Sequence, residues 1–128
     1  MIVINKKNKH KIFDYIAQSK IDIILSSGFP YILPKYVIDK SKLIVNSHPS
    51  FLPKYKGYNA IKDAISAREK YIGVTFHIME EQVDSGKIIY QEKISIVGLS
   101  SNQIYQKVFA ELEPRVIKKG LEIIINND

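Results

Sequence analysis

Two short β-branched runs constrain the fold of this chain more than any other feature. They cover Ile21–Ser26 and Leu43–Val45, and each ends in turn or polar residues. Continuous apolar runs of this length are typical of strands that are buried on both faces of a parallel sheet. A stretch with helical apolar spacing, from about Asn8 to Lys20, precedes the first run, and Lys35–Lys40 predicts a short helix before the second. This alternation predicts an α/β fold, with a mostly parallel sheet and helices on both of its faces.

The sequence that follows the two β-branched runs predicts one more helix, two more strands and a long last helix. Ser100 and Gln103 have the spacing of a capping box at the start of the last helix. Pro114 should kink or restart that helix, because proline has no N–H to donate. The elements before it are expected as a helix from Tyr58 to about Arg68 and strands at Gly73–Met79 and Ile88–Ile96.

Composition limits the architecture and the partners. The 128 residues are 45% hydrophobic and include no cysteine, which predicts one globular domain over residues 1–128 without disulfides or a cysteine nucleophile. The longest uncharged stretch is too short to span a membrane, and the apolar residues at the start precede the lysines, the reverse of a secretory signal. We therefore expect a cytoplasmic protein. The net charge of +6 fits anionic partners, but the lysine cluster at 6–11 lacks the interleaved aromatic residues of a nucleic-acid site.

Asn46 and His48 follow the second run directly and are two residues apart. Strand geometry would turn both side chains to the same side of the backbone. An amide donor and an imidazolium placed together suit the negative oxygen that develops during acyl transfer. Polar residues at a strand end also commonly satisfy loop backbone groups. The residues alone leave a catalytic pair and a structural pair both open.

Asp84 is the candidate proton acceptor. A carboxylate beside His48 would favour the imidazolium and accept a proton from an attacking amine. Because Asp84 precedes Ser85 and Gly86, an Asx turn is the alternative. His77 lies in a predicted strand, where packing or support of the site is expected. The chain has neither the spacing of a metal site nor a glycine-rich nucleotide loop, so neither ligand is predicted.

Four motifs occur in order along the chain. They are Asn46-Ser-His-Pro-Ser-Phe-Leu-Pro53, Lys56-Gly57, Gly73-Val-Thr-Phe-His77 and Val83-Asp-Ser-Gly86. Together they resemble the formyltransferase family that uses 10-formyltetrahydrofolate. The resemblance implies a Rossmann-like three-layer fold and transfer of a formyl group from 10-formyltetrahydrofolate, the co-substrate, to a primary amine. It also implies that Asn46, His48 and Asp84 are the catalytic residues and that no metal takes part.

The resemblance further implies a folate cleft between two loops. These loops match 28–33 and 79–84, where backbone groups would pair with the pterin and apolar side chains would flank it. Tyr31 stands where some members have a basic residue, and the Leu52–Pro53 bond is expected to be cis as in the family. The residues implied in cofactor binding are Gly28, Phe29, Ile32, Leu33, Met79, Glu80, Glu81 and Val83.

The acceptor and the completeness of the site stay open in the sequence. Family members begin with a further βαβ portion that binds the acceptor's phosphate, so the resemblance predicts an N-terminally abbreviated fold. Phe109 stands where the purine-pathway enzyme has a glutamate, and Ala60 where tRNA and sugar enzymes usually have proline. The expected acceptor is a small phosphorylated or nucleotide-linked amine. The alternative is a truncated, non-catalytic folate-binding or pairing module, acting as a homodimer or completed by another chain.

Overall fold

A computed structural model describes residues 6–20, 22–28, 33–40, 43–80 and 86–127, with the backbone alone for residues 39 and 40. Five α-helices, one π-helical segment and four strands follow one another in these ranges. Their order is α1 (Lys9–Gln18), β1 (Ile24–Ser27), α2 (Lys35–Lys40), β2 (Ile44–His48), α3 (Ala60–Ser66), β3 (Tyr71–Ile78), β4 (Ile88–Ser95), α4 (Ser101–Lys107), the π segment (Val108–Leu112) and α5 (Glu113–Asn126). Every predicted helix and strand is found, with shifts of a few residues at the ends.

The four strands form one sheet in the order β1-β2-β3-β4. β1 and β2 are parallel, whereas β2 with β3 and β3 with β4 are antiparallel. The α/β class is therefore confirmed, but the described sheet is mixed and the prediction of a mostly parallel sheet is wrong. Apolar periodicity identifies a strand without giving its direction, which explains the error.

β1 also differs from the predicted strand in its burial. Its residues alternate between partly buried and exposed, and Leu25 is 44% exposed. Within the described residues β1 pairs only with β2 and lies at the edge of the sheet. One of its faces therefore lacks the cover that a central parallel strand has, and the prediction of burial on both faces is wrong.

The interior is divided between the two faces of the sheet, and β2 contributes to both. Val45 lies in the larger apolar cluster, together with Phe76 of β3 and buried residues of α3, α4, the π segment and α5. Ile44, the preceding residue, lies in a smaller cluster with Phe13 of α1 and Val37 of α2. Successive strand residues point to opposite faces, so helices cover both faces of the sheet, as predicted.

The last helical region begins at the capping box that its sequence predicts, and its helical geometry changes just before Pro114. Ser100 Oγ accepts from the backbone N–H of Gln103 at 3.2 Å, and Gln103 Oε1 accepts from the Ser100 N–H at 2.9 Å, which completes the capping box. The five residues before Glu113 form the π segment, and Pro114 lies in the first turn of α5. The region therefore changes its helical geometry next to the missing proline donor.

α5 lies close to β3 at Gly120. A Cβ atom added at Gly120 would lie 2.6 Å from both Cε1 and Cγ of the Phe76 ring, well inside van der Waals contact. Phe76 is fully buried in the middle of the sheet. Glycine thus allows the helix to pack directly on the aromatic ring.

A charged cluster joins the outer surfaces of β4 and α5. Arg115 Nε lies 3.3 Å from both carboxylate oxygens of Glu92, and Lys119 Nζ lies 3.8 Å from its Oε2. Burial opposes the charge on Glu92, but hydrogen bonds from Tyr90 and Arg115 and the charges of Arg115 and Lys119 outweigh it. They hold the pKa of Glu92 below its usual value of 4.5. None of the helices in the described ranges has the length and hydropathy needed to cross a membrane.

Candidate active site

β2 places Asn46 and His48 on one face of the sheet. Both belong to the strand itself, which runs through His48, and β3 pairs Asn46 with His77 and His48 with Thr75. Directly opposed residues of antiparallel strands share a face, so these four side chains form one polar row. Asn46, His48 and His77 are only 9%, 4% and 1% exposed. We call these four residues the polar row.

His77 fixes the amide of Asn46. Its Nδ1 lies 3.0 Å from the Ile78 carbonyl, and its Nε2 lies 3.3 Å from Asn46 Nδ2. A carbonyl oxygen only accepts, so Nδ1 donates to it and Nε2 is left to accept from the amide. One Nδ2 hydrogen of Asn46 is used in this way, and the amide keeps a second hydrogen for another acceptor.

The loop after β2 fixes the imidazole of His48. His48 Nε2 lies 2.8 Å from the backbone carbonyl of Tyr55, to which it must donate. The ring is therefore oriented by a residue seven positions further along the chain. The Leu52–Pro53 bond within this loop is cis, as the family resemblance implies.

Thr75 ties the same loop to the sheet. Its hydroxyl donates to the Ser50 carbonyl at 2.7 Å and accepts from the Leu52 N–H at 3.1 Å. Gln91 Nε2 also donates to this hydroxyl, at 3.0 Å. Because Thr75 is completely buried, all three bonds are shielded from water, which makes the hydroxyl costly to remove. Thr75 was not among the predicted site residues, although the motif that contains His77 includes it.

The two predicted folate segments approach one another at their described ends. Leu33 is buried in the smaller apolar cluster, and Met79 packs against that cluster. The Met79 N–H donates to the Ile44 carbonyl at 2.8 Å, which holds this segment beside β2. Gly28 has a φ of 64°, and Glu80 is exposed. Leu33 therefore supports the cluster with its side chain, and Met79 packs against the same cluster.

The predicted residues Asp84, Phe29, Ile32, Glu81 and Val83 lie outside the described residues. Their roles in catalysis and cofactor binding stay predictions. Gly86, which follows this loop, has a φ of 108°, and an added Cβ would collide with the Ile78 carbonyl. Gly86 thus makes a close backbone contact with β3 that only glycine allows.

Two buried hydroxyls have no hydrogen-bond partner among the described residues. They are Ser26 Oγ and Ser47 Oγ. Ser26 is paired with Asn46 in the sheet and shares its face, while Ser47 lies on the opposite face. Ser26 therefore places a buried hydroxyl next to Asn46 on the face of the sheet that carries the polar row.

The fold and the site define a class of α/β proteins that carry a buried amide and imidazole at the carboxyl end of a sheet strand, where such folds bind ligands. The family model described as "Formyl transferase" matches residues 4–121. The chain therefore belongs to the formyl transferase family, as the sequence motifs predict.

Three relatives illustrate the range of this family. The chain is 41% identical over 84 residues to phosphoribosylglycinamide formyltransferase of Haemophilus influenzae, covering 65% of this chain and 40% of the relative. It is 45% identical over 107 residues to methionyl-tRNA formyltransferase of Lysinibacillus sphaericus, covering 82% and 34%. The structure of a 4-N formyltransferase from Francisella tularensis matches with 29% identity and a TM-score of 0.77, covering 98% and 49%. In each case the match spans less than half of the relative's length.

Proposed function

We propose that the chain is the catalytic core of an enzyme that transfers a formyl group from 10-formyltetrahydrofolate to a primary amine. The observation that carries the proposal is the buried Asn46 amide, held by His77 on the same face of the sheet as His48. Membership of the formyl transferase family supports the same reaction. Residues 1–128 are proposed to form one domain. A cytoplasmic location stays a prediction.

Asn46 is proposed to stabilise the negative oxygen that develops on the formyl carbonyl. The hydrogen that Asn46 Nδ2 does not give to His77 is the donor for this oxygen. Because His77 holds the amide before the reaction starts, little reorganisation is needed as charge develops. The imidazole of His48, oriented by the Tyr55 carbonyl, is proposed to support the same oxygen.

Asp84 is proposed to accept the proton that the amine loses. The donor supplies a formyl group bound to its N10. The amine nitrogen forms a bond to the formyl carbon, the carbon–N10 bond breaks, and a proton passes to N10. His48 and Asp84 then have complementary tasks, since one supports the carbonyl oxygen and the other removes a proton from the nitrogen.

The acceptor is proposed to be a small phosphorylated or nucleotide-linked amine. The net charge of +6 favours an anionic acceptor. The relatives include a phosphoribosylglycinamide formyltransferase and a 4-N formyltransferase. A single screen with glycinamide ribonucleotide and amino-sugar nucleotides would identify which acceptor this chain uses.

Formyl transfer by purified protein tests the proposal. Asn46→Ala should lower kcat by about 10²–10³-fold, the usual loss when one oxyanion donor is removed, and His48→Ala and Asp84→Asn should abolish transfer. Asn59→Ala is the matched control, because Asn59 precedes α3 and its side chain makes no capping hydrogen bond. Rates unchanged by Asn46→Ala or His48→Ala would reject the assignment.

A non-catalytic folate-binding or pairing module is the second candidate. The exposure of Leu25 on the edge strand β1 favours it, because an open sheet edge invites pairing with another chain. Light scattering would then detect a dimer or a complex with a complementing chain. Binding of a 10-formyltetrahydrofolate analogue without turnover, with every acceptor tested, would support this candidate over the enzyme.

A further inference from the structure

The orientation of His48 depends on the backbone of Tyr55, which is in an uncommon conformation. The Tyr55 carbonyl accepts the His48 Nε2 proton at 2.8 Å. Tyr55 itself has a φ of 55°, in the left-handed region that a bulky residue rarely adopts. Such a conformation costs about 1–3 kcal/mol and persists only where surrounding contacts hold it. The contacts that hold Tyr55 therefore also hold the carbonyl that accepts from the His48 ring.

The side chain of Tyr55 is held by Glu69. Tyr55 Oη donates to Glu69 Oε1 at 2.8 Å, and Lys54 Nζ lies 3.5 Å from the same oxygen. The hydrogen bond from Tyr55, followed by the charge of Lys54, holds the pKa of Glu69 below its usual value. The same bond to Glu69 raises the pKa of Tyr55. Both directions indicate that the phenol donates to an ionised carboxylate.

Glu69 is in turn fixed by the end of α3. Its N–H donates to the Ala64 carbonyl at 3.1 Å, and the Arg68 N–H donates to the Ile65 carbonyl at 3.0 Å. Arg68 has a φ of 57°. These two bonds around a left-handed residue form a Schellman motif, and β3 begins two residues after Glu69. The carboxylate that holds Tyr55 is thus carried by a rigid junction between a helix and the sheet.

We propose that Glu69 is a positioning residue for His48, acting through the side chain and backbone carbonyl of Tyr55. The bonds from Thr75 secure the first half of the loop, at Ser50 and Leu52. Glu69 secures the second half, which carries the carbonyl that meets the imidazole. This inference rests on the proposed function, in which His48 acts on the formyl group.

NMR of the free protein tests the coupling without any substrate. The chain has only three histidines, so the ring N–H signals are few, and His48→Gln assigns the signal of interest. In Glu69→Ala and in Tyr55→Phe, the NMR signal of the His48 Nε2 proton should change its chemical shift, or the proton should exchange faster with water. Glu69→Gln, which keeps an acceptor oxygen, should restore it. Lys54→Ala is the matched control, because it removes only the ion pair of a side chain that is 67% exposed.

Kinetics tests the consequence for catalysis. Glu69→Ala should lower kcat by about tenfold or more, because small displacements of a catalytic group are costly, while KM for the donor stays within about a factor of two of the wild type. The double variant Glu69→Ala with Tyr55→Phe should be no slower than either single variant, since both remove one contact. Glu69→Gln should recover most of kcat.

Specific results would overturn the inference. An unchanged His48 signal in both Glu69→Ala and Tyr55→Phe would show that the ring is held independently of Glu69. If Lys54→Ala lowered kcat as much as Glu69→Ala does, the effect would come from charge and not from the contact with Tyr55. If the losses of kcat in the double variant were additive, Glu69 and Tyr55 would act independently of one another. A wild-type chain that transfers no formyl group would reject the proposed function, and the NMR signal would still decide the coupling.

Discussion

Replacing Gly120 with alanine tests how closely α5 packs on β3. Alanine is favoured over glycine in a helix interior by about 1 kcal/mol, so propensity alone would stabilise the protein. The added methyl group would, however, lie 2.6 Å from two carbons of the Phe76 ring. Overpacking of a core costs about 1–3 kcal/mol or more, and the fully buried ring belongs to a central strand and cannot move toward solvent. We expect a net destabilisation of about 1–2 kcal/mol.

Urea denaturation followed by circular dichroism measures this difference. The midpoint should fall without a change in the slope, and the melting temperature should fall by about 4–8 °C. Lys118→Ala is the control, because it places alanine on the exposed side of the same helix and should stay within about 0.5 kcal/mol of the wild type. Phe76→Leu combined with Gly120→Ala should cost less than the sum of the single changes. A Gly120→Ala protein as stable as the wild type would refute the close approach.

Three further predictions concern buried and paired polar groups. Thr75→Val should lower the free energy of unfolding by about 2–4 kcal/mol, because it leaves buried backbone groups of the loop unpaired. Thr75→Ser should recover a large part of this loss in urea denaturation. Equal losses in both variants would contradict the role of the hydroxyl. Ser47→Ala should stabilise the protein by about 1 kcal/mol, because it removes a buried hydroxyl that has no partner among the described residues. A lower midpoint would show that the hydroxyl has a partner. Glu92 has a lowered pKa when folded, so its stabilisation is present above pH 4.5 and is lost as pH falls through the folded value. At neutral pH, Glu92→Gln should therefore be destabilised relative to the wild type, by no more than about 1 kcal/mol. This difference in stability should shrink in acid. A difference independent of pH would refute the role of the Glu92 charge.

Local features of the fold were predictable from the sequence. The capping box of Ser100 and Gln103 involves residues three apart, and the change of helical geometry before Pro114 follows from one missing donor. Both depend on chemistry within a single turn. The direction of β3 depends instead on how distant segments pair, and no pattern within the strand contains that information.

The candidate site was predictable only in part for the same reason. Asn46 and His48 are two residues apart in one strand, so their common face follows from strand geometry. The bond from Asn46 to His77 requires the register between β2 and β3, which the sequence does not reveal. Tyr55 contributes through a backbone carbonyl, and a carbonyl is present in every residue, so no residue type signals its role.

Because β2 divides the interior into two apolar clusters, we expect the two layers to open independently. Among the described residues, four buried side chains form the cluster under α1 and α2, and eleven form the cluster on the other face. Opening of the smaller cluster exposes less buried apolar surface to water than opening of the larger one. We therefore expect faster hydrogen exchange in α1 and α2 than in β3. β2 remains anchored through Val45 in such an opening. Under the proposed function, a folate would enter beside Leu33 and Met79 when this one layer opens, while the strand that carries Asn46 stays ordered.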